Sequence, residues 1–338
     1  MTALVDLLRH PVVAAPMAGG PTTVELVVAA GEAGALGLVA GGYKSAGALG
    51  EELGEVRRRS PHPFGVNLFV PGAPAADVEA VAAYLRSLQA DAAAVGVALG
   101  EAAWDDDGWD DKVQLLVGDP PPVVSFTFGC PPPAVVTALQ AAGSLVLASV
   151  TSPPEAAAAA AAGADAVCVQ GIEAGGHRAS FSDAGPGGLA VLDLIAAVKA
   201  VTDLPQVAAG GIMGPSQVRQ ALQAGAVAVQ CGTAFLRSAE SGAQRLHQQA
   251  LAGPSATTAM TRAFSGRWAR GIANRFVTDH GDAPAGYPEI NNATRPLRRA
   301  AAAQGDTDRM SLWAGTGFAL ARPWPAARVV EHLCGDLP

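Results

Sequence analysis

Short apolar runs alternate with amphipathic stretches over the first two thirds of the chain, and glycine marks most of the joins. The first four runs are Val12-Val13-Ala14-Ala15, Leu36-Gly37-Leu38-Val39, Phe64 to Val70 and Val123-Val124-Ser125-Phe126. The next four are Leu145 to Ser149, Ala166-Val167-Cys168-Val169, Gln206-Val207-Ala208-Ala209 and Val227-Ala228-Val229-Gln230. They are apolar along nearly their whole length rather than alternating, as expected of strands covered on both faces of a parallel sheet. What separates most of them reads as helix. Thr22 or Thr23 caps a stretch to Ala33, closed by Gly34, and Ser45 to Arg59 is the second. Others run to Ala142, from Leu189 to Val201 and from Pro215 to Ala224. Thr151-Ser152-Pro153-Pro154 opens an alanine run that ends at Gly163, a start and stop that predict a compact, closely packed helix.

Eight such units in about 235 residues predict an α/β fold, a closed (β/α)8 TIM barrel, with a doubly wound open sheet as the alternative. The region from Pro71 to Pro122 breaks the rhythm: a helix from Asp77 to Leu88, an apolar segment from Ala92 to Leu99, then clustered carboxylates from Glu101 to Asp111 that read as a solvated loop. After Ala234 the pattern predicts helices over Ser238 to Ala252 and Thr257 to Ala269, then a Pro/Gly-rich stretch from Gly281 to Pro296. The expected organisation is a barrel over 1–236, a smaller and mainly helical subdomain over the barrel mouth at 237–320, and a C-terminal helix, 321–338, returning to the barrel.

Composition narrows the partners. The chain has 338 residues, half of them hydrophobic, and a formal net charge of −8, so no basic field exists to hold nucleic acid or an anionic membrane. Cys130, Cys168, Cys231 and Cys334 form no CxxC pair, which predicts reduced, buried thiols and no metal site. No secretory signal and no apolar stretch of ~20 residues stand out, so the expectation is a cytoplasmic protein, monomer or homodimer.

The stretch that resists a packing explanation is Gln170-Gly171-Ile172-Glu173-Ala174-Gly175-Gly176-His177-Arg178, directly after the sixth run. Glycine lets backbone approach a ligand, and an imidazole can exchange a proton near neutral pH. His177 is therefore the candidate catalytic residue, while His10, His62, His247, His280 and His332 default to the surface. Arg178 either binds an anion or pairs with Glu173 or Asp183, and the pairing is favoured. Gly210-Gly211 after the seventh run and Gly232-Thr233 after the eighth predict a phosphate site, because barrels commonly hold phosphate on the N–H groups of those two loops. Arg262, Arg267 and Arg270 are further candidates for that phosphate. A cofactor anchored there would extend over Met17, Asn67, Ser125 and Gln170, whose amides suit the polar edge of an isoalloxazine ring. Gly185-Pro186-Gly187-Gly188 does not follow a strand and is no dinucleotide fingerprint.

Five motifs carry a resemblance: Pro16-Met17-Ala18-Gly19-Gly20, Gly65-Val66-Asn67-Leu68-Phe69, the 170–178 loop, Ala208 to Ile212 and Gln230 to Leu236. With Phe264-Ser265-Gly266-Arg267 and Trp313-Ala314-Gly315, they resemble the nitronate monooxygenase family, formerly the 2-nitropropane dioxygenases. The Glu-Ala-Gly-Gly-His motif is shared with flavin-dependent enoyl-acyl carrier protein reductases. The resemblance implies FMN in a TIM barrel, contacted by Met17, Asn67, Gln170, Gly175, Gly211, Gln230, Gly232 and Thr233, with His177 at the active site. It implies oxidation of alkyl nitronates by O2 to a carbonyl compound and nitrite. An NAD(P)H-dependent reductase of an enoyl thioester or quinone is the alternative, and a non-catalytic flavin- or phosphate-binding protein is a third. Two positions depart from the family: Thr316 stands where Gln often follows Trp-Ala-Gly, and Ala179 where Gly is usual.

Overall fold

The computed structural model describes residues 3–183, 185–253 and 257–335, so the outermost ends of the segments 1–236 and 321–338 fall outside it. Six parallel strands lead: β1 (Val12–Ala14), β2 (Leu36–Ala40), β3 (Phe64–Phe69), β4 (Val123–Thr127), β5 (Leu145–Val150) and β6 (Ala166–Gln170). A two-residue strand, β7 (Gly176–His177), intervenes before β8 (Gln206–Ala209) and β9 (Ala228–Cys231). β1 to β6, β8 and β9 close a barrel, and β9 pairs with β1 at Val13↔Gln230. The predicted TIM barrel is the observed fold.

Local chemistry explains the helices. Thr23, not Thr22, caps the first, its hydroxyl accepting from the Leu26 N–H at 3.0 Å. Ser45 and Asp77 cap two others in the same way. The alanine-rich helix, Pro153–Ala161, has no side-chain bond from Ser152. Instead Glu155 turns back to accept from the Thr151 N–H at 2.6 Å and its hydroxyl at 2.9 Å. Ala156 and Ala159 are fully buried, which is the close packing that the alanines allow.

Four hydrophobic clusters fill the described residues, two of them between the barrel and its helices, and the other two bear on the site. The barrel interior is filled by Val13, Leu36, Leu38, Val123, Leu147, Ala166, Val207 and Ala228. A separate core joins Val81, Tyr84, Leu88 and Val95 to Leu236, Phe264, Phe276, Ile290, Leu297, Leu312 and Phe318. The helical part of the 71–122 region thus packs with the C-terminal segment above the mouth. The apolar segment at 92–99 begins in a short helix, Gln89–Ala94. Among the described residues no helix is long and apolar enough to cross a membrane.

The C-terminal segment differs from the expectation in two places. Thr257 to Ala269, read as helix, holds strand β10 (Thr258–Thr261) and ends at the start of β11 (Ala269–Ile272). These pair antiparallel with each other, and β11 pairs with β7 at Ala269↔His177. The β-branched threonines of β10 favour a strand, and the partner that completes the sheet lies far away in sequence. The Pro/Gly-rich stretch, in turn, runs into a helix, Glu289–Gln304, with Pro296 inside it. Ile290, Ala293, Leu297 and Ala301 form its buried stripe, and that burial outweighs the ladder bond that Pro296 cannot make.

Candidate active site

Side chains alternate across each strand, and the inward rows change character as they rise. Val123, Ser125 and Thr127 share one inward row on β4; Leu145, Leu147 and Ser149 share another on β5. On β6 the row is Ala166, Cys168, Gln170, and on β9 it is Ala228, Gln230. The barrel is packed and apolar at its base and polar at its C-terminal mouth. There it opens into a cavity of about 630 Å³, within the usual range for a cofactor or substrate site.

One end of the cavity is bounded by the loops that leave β8 and β9, which are adjacent strands (Ala209↔Gln230). Gly211 has φ +66° and a Cβ there would sit 2.9 Å from Glu173, so only glycine fits. The N–H groups of Gly211, Gly232 and Thr233 donate to no acceptor among the described residues. Free backbone donors converging from two neighbouring loops, one opening the short 3-10 turn Thr233–Phe235, are a donor set for phosphate. The Gln230 side chain also makes no hydrogen bond among the described residues. Asn67 and Gln170 are already engaged. Asn67 donates to Ser125 Oγ at 2.9 Å and Thr127 Oγ1 at 3.0 Å. Gln170 donates to the His177 carbonyl at 3.0 Å and accepts from the Ala179 N–H at 2.9 Å. The unspent N–H groups and the free Gln230 amide fit a phosphate-bearing cofactor with a polar ring edge.

The other end holds His177. Pairing of β7 with β11 fixes its backbone, and Gly175 packs so closely on the 313–315 turn that a Cβ would lie 2.4 Å from Ala314 and Gly315. The imidazole sits among Phe128, Tyr287 and Trp313, with ring centroids at 5.8, 5.7 and 5.4 Å. Its Nε2 lies 2.8 Å from Ser265 Oγ. Arg267 stacks on Phe128 at 4.1 Å and donates to the Arg178 and Ser180 carbonyls. Arg298, in the helix over the mouth, bonds only to Asn291, and its Nε has no partner among the described residues. Burial, with Arg267 and Arg298 nearby, pulls the His177 pKa down to about 3. The imidazole is therefore neutral at neutral pH, a correction to the expectation that it titrates there. Burial likewise pulls Arg298 down to about 10, so it stays cationic.

The structure brings Met17, Asn67, Gln170, Gly175, His177, Gly210, Gly211, Gln230, Gly232 and Thr233 to one cavity. Ser125 lies one inward position below the floor and does not line it, serving Asn67 instead. Arg178 pairs with neither Glu173 nor Asp183. It is buried and donates to the Gly171 carbonyl at 2.9 Å and the Gln170 carbonyl at 3.2 Å, bracing the loop from beneath. Asp183 pairs with Arg262 at 2.8 Å. Arg262, Arg267 and Arg270 do not line the cavity, so the phosphate role expected of one of them is not where they sit.

Two histidines depart from the surface default. His280 pairs with Asp91 at 3.0 Å, and His247 is buried in the cavity wall with Nε2 3.0 Å from the Trp313 carbonyl. Burial brings His247 down to about 4. The carboxylate cluster is not wholly solvated either: Asp107 accepts from the Tyr43 N–H at 2.8 Å and pairs with buried Lys112 at 2.8 Å. Sequence reasoning passed over Tyr43, Phe128, Tyr287 and Arg298, which carry no local signal. For Ser265 and Arg267 the alternation Thr258-x-Met260 was the available clue to a strand delivering them.

The nitronate monooxygenase family profile matches residues 1–336. A nitronate monooxygenase of Pseudomonas aeruginosa is 42% identical, over 98% of this chain and 97% of its own length. A probable nitronate monooxygenase of Staphylococcus aureus is 34% identical over 98% and 95%. Among solved structures, a nitroalkane oxidase from Streptomyces ansochromogenes superposes with a TM-score of 0.96 at 46% identity, covering 99% of this chain and 98% of that one. FabK from Thermotoga maritima gives 0.73 at 26% identity, over 96% and 92%.

Proposed function

The chain belongs to the nitronate monooxygenase family of flavin-dependent oxidoreductases, and from that premise we propose that it binds FMN across the barrel mouth and oxidises alkyl nitronates with O2 to a carbonyl compound and nitrite. The observation that carries this reading is one cavity shared by free backbone N–H groups and a neutral histidine with Arg267 and Arg298 nearby, neither of which forms an ion pair among the described residues.

The chain's part is binding, orientation and field. Gly211, Gly232 and Thr233 would hold the phosphate through their free N–H groups. The free Gln230 amide would orient the ring edge, with Asn67 and Gln170 held beside it by their own hydrogen bonds and Met17 lining the same cavity, while Gly175 and Gly210 let the surrounding backbone close in. FMN, when bound, supplies the electron-accepting chemistry that no side chain here offers. Arg267 and Arg298 draw an anionic substrate toward His177, and Phe128, Tyr287 and Trp313 keep water from its ring. A base held near pKa 3 is weak, which favours a substrate that has already lost its α-proton, the nitronate, over the neutral nitroalkane. All four cysteines are free thiols, Cys168, Cys231 and Cys334 buried and Cys130 partly exposed, which agrees with a reducing, cytoplasmic setting.

The test is reconstitution with FMN followed by aerobic assay of nitrite and carbonyl from an alkyl nitronate. Equal yields of both, with NADPH giving no turnover, support the reading. A protein that takes up no FMN, or that turns over only with NAD(P)H and an enoyl thioester or quinone, overturns it.

A further inference from the structure

The Phe264-Ser265-Gly266-Arg267 motif has so far served only as a mark of resemblance, yet it delivers the one side-chain hydrogen bond His177 makes among the described residues. Ser265 is 1% exposed. Its Oγ lies 2.8 Å from His177 Nε2 and 3.2 Å from the Arg267 carbonyl, and the Arg267 N–H points at it from 3.4 Å. A serine hydroxyl carries one proton, and a neutral imidazole carries one N–H, so only two arrangements exist.

In the first, Ser265 donates to Nε2. The imidazole proton is then on Nδ1, which has no acceptor among the described residues, and the Arg267 carbonyl loses the one donor it has there. In the second, Nε2–H donates to Ser265 and Ser265 donates to the Arg267 carbonyl. Every N–H and O–H then has an acceptor, and the Nδ1 lone pair is the only unspent group. His177 lines the cavity, so Nδ1 can be solvated in either arrangement, and the difference is the Arg267 carbonyl, which keeps its donor only in the second. A buried polar group left without a partner costs about 1–3 kcal/mol, and that decides between them.

We propose that Ser265 is a positioning residue that holds His177 in the Nε2–H tautomer, so that the Nδ1 lone pair is the one offered to the substrate. The order of donation is His177 Nε2–H to Ser265 Oγ–H to the Arg267 carbonyl. The arrangement resembles a catalytic triad with a neutral hydroxyl in the place of the carboxylate. A hydroxyl fixes the ring but adds no negative charge, so it orients the imidazole without making it a stronger base. The charged and titratable groups around that ring are Arg267 beside Phe128, Arg298 above and Tyr287 at its face, none of them anionic at neutral pH.

This inference uses the proposed function only for what Nδ1 faces; the tautomer itself is a property of the folded chain. The experiment is ¹⁵N NMR of the full-length protein with ring-labelled histidines, with the His177 signals assigned by their loss in His177→Gln. Wild type is expected to carry its proton on Nε2. Ser265→Ala is expected to convert His177 to a mixture of tautomers and lower kcat/KM about tenfold for a neutral nitroalkane, whose α-proton the Nδ1 lone pair would take, through kcat and not KM, with FMN content unchanged; Ser265→Thr should restore both. A wild-type Nδ1–H tautomer overturns the proposal even if Ser265→Ala does not fold. So does a Ser265→Ala spectrum indistinguishable from wild type. A wild type with the Nε2–H tautomer and no nitronate turnover would instead sink the functional reading and leave this one standing.

Discussion

At one end of the cavity, Gly211, Gly232 and Thr233 stand where two adjacent barrel strands stop, and each is placed by residues next to it in sequence. At the other, His177 is placed by Ser265, 88 residues away, and by Tyr287, Arg298 and Trp313 from the layer above the barrel. The first end is backbone: donors that any sequence with the right glycines would expose. The second is side chain, aromatic and cationic, assembled only when the sheet of β7, β11 and β10 forms. The two ends should therefore respond separately to mutation, one in cofactor affinity and the other in turnover.

Removing the imidazole is the hardest blow to the second end. His177→Ala should lower kcat/KM for a neutral nitroalkane, which must lose its α-proton, by roughly 10²–10⁴-fold, and for a nitronate by less, while FMN content per chain stays at the wild-type value. If cofactor and turnover fall together, the ends are not independent. Gly232→Val attacks the first end. Its φ of −107° suits any residue, and a Cβ there meets Met17 Sδ at an acceptable 3.4 Å, so the fold survives. The added methyls intrude on the phosphate donors, and FMN affinity should drop by about tenfold or more, read by flavin fluorescence titration. Arg298→Met then removes a cation that makes no ion pair among the described residues. About a tenfold loss in kcat/KM for nitronate is expected, with FMN binding intact and the His177 pKa raised.

The smallest effect concerns acid. The folded pKa values of His177, about 3, and His247, about 4, both lie below the ordinary 6.5. Below pH 6.5 the unfolded chain takes up protons that the folded chain refuses. Stability from these two groups is thus full above pH 6.5 and is lost as pH falls toward 4 and then 3. Thermal unfolding across that window should reveal it, and His247→Gln should flatten part of the slope. Over pH 5–8, by contrast, His177 should impose no inflection on kcat/KM; a clear break near 6.5 would mean that the imidazole is more solvated than its aromatic surroundings allow.

The same contrast explains what could be read from the sequence. Barrel, strand order and the glycine loops after β8 and β9 are local patterns: an apolar run, two glycines, a capped helix. Gln170 to His177 stood out because three glycines beside a histidine make poor packing. The surroundings of that histidine did not stand out. Thr258 to Thr261 was read as helix because its strand partner, β11, and the loop that β11 meets are not adjacent in sequence. The helix through Pro296 was hidden by its proline, and its buried stripe became visible only against the second core. For Arg178, an arginine near two acidic residues suggests an ion pair, whereas its actual acceptors are carbonyls, which sequence does not advertise.

The central claim, one cavity with a cofactor end and a chemical end, is met most directly by anaerobic mixing of the FMN-reconstituted protein with an alkyl nitronate, followed by flavin absorbance. The account predicts rapid bleaching in wild type, slower bleaching in His177→Ala at equal FMN occupancy, and none with NADPH alone. Fast bleaching by NADPH with no response to nitronate would contradict it.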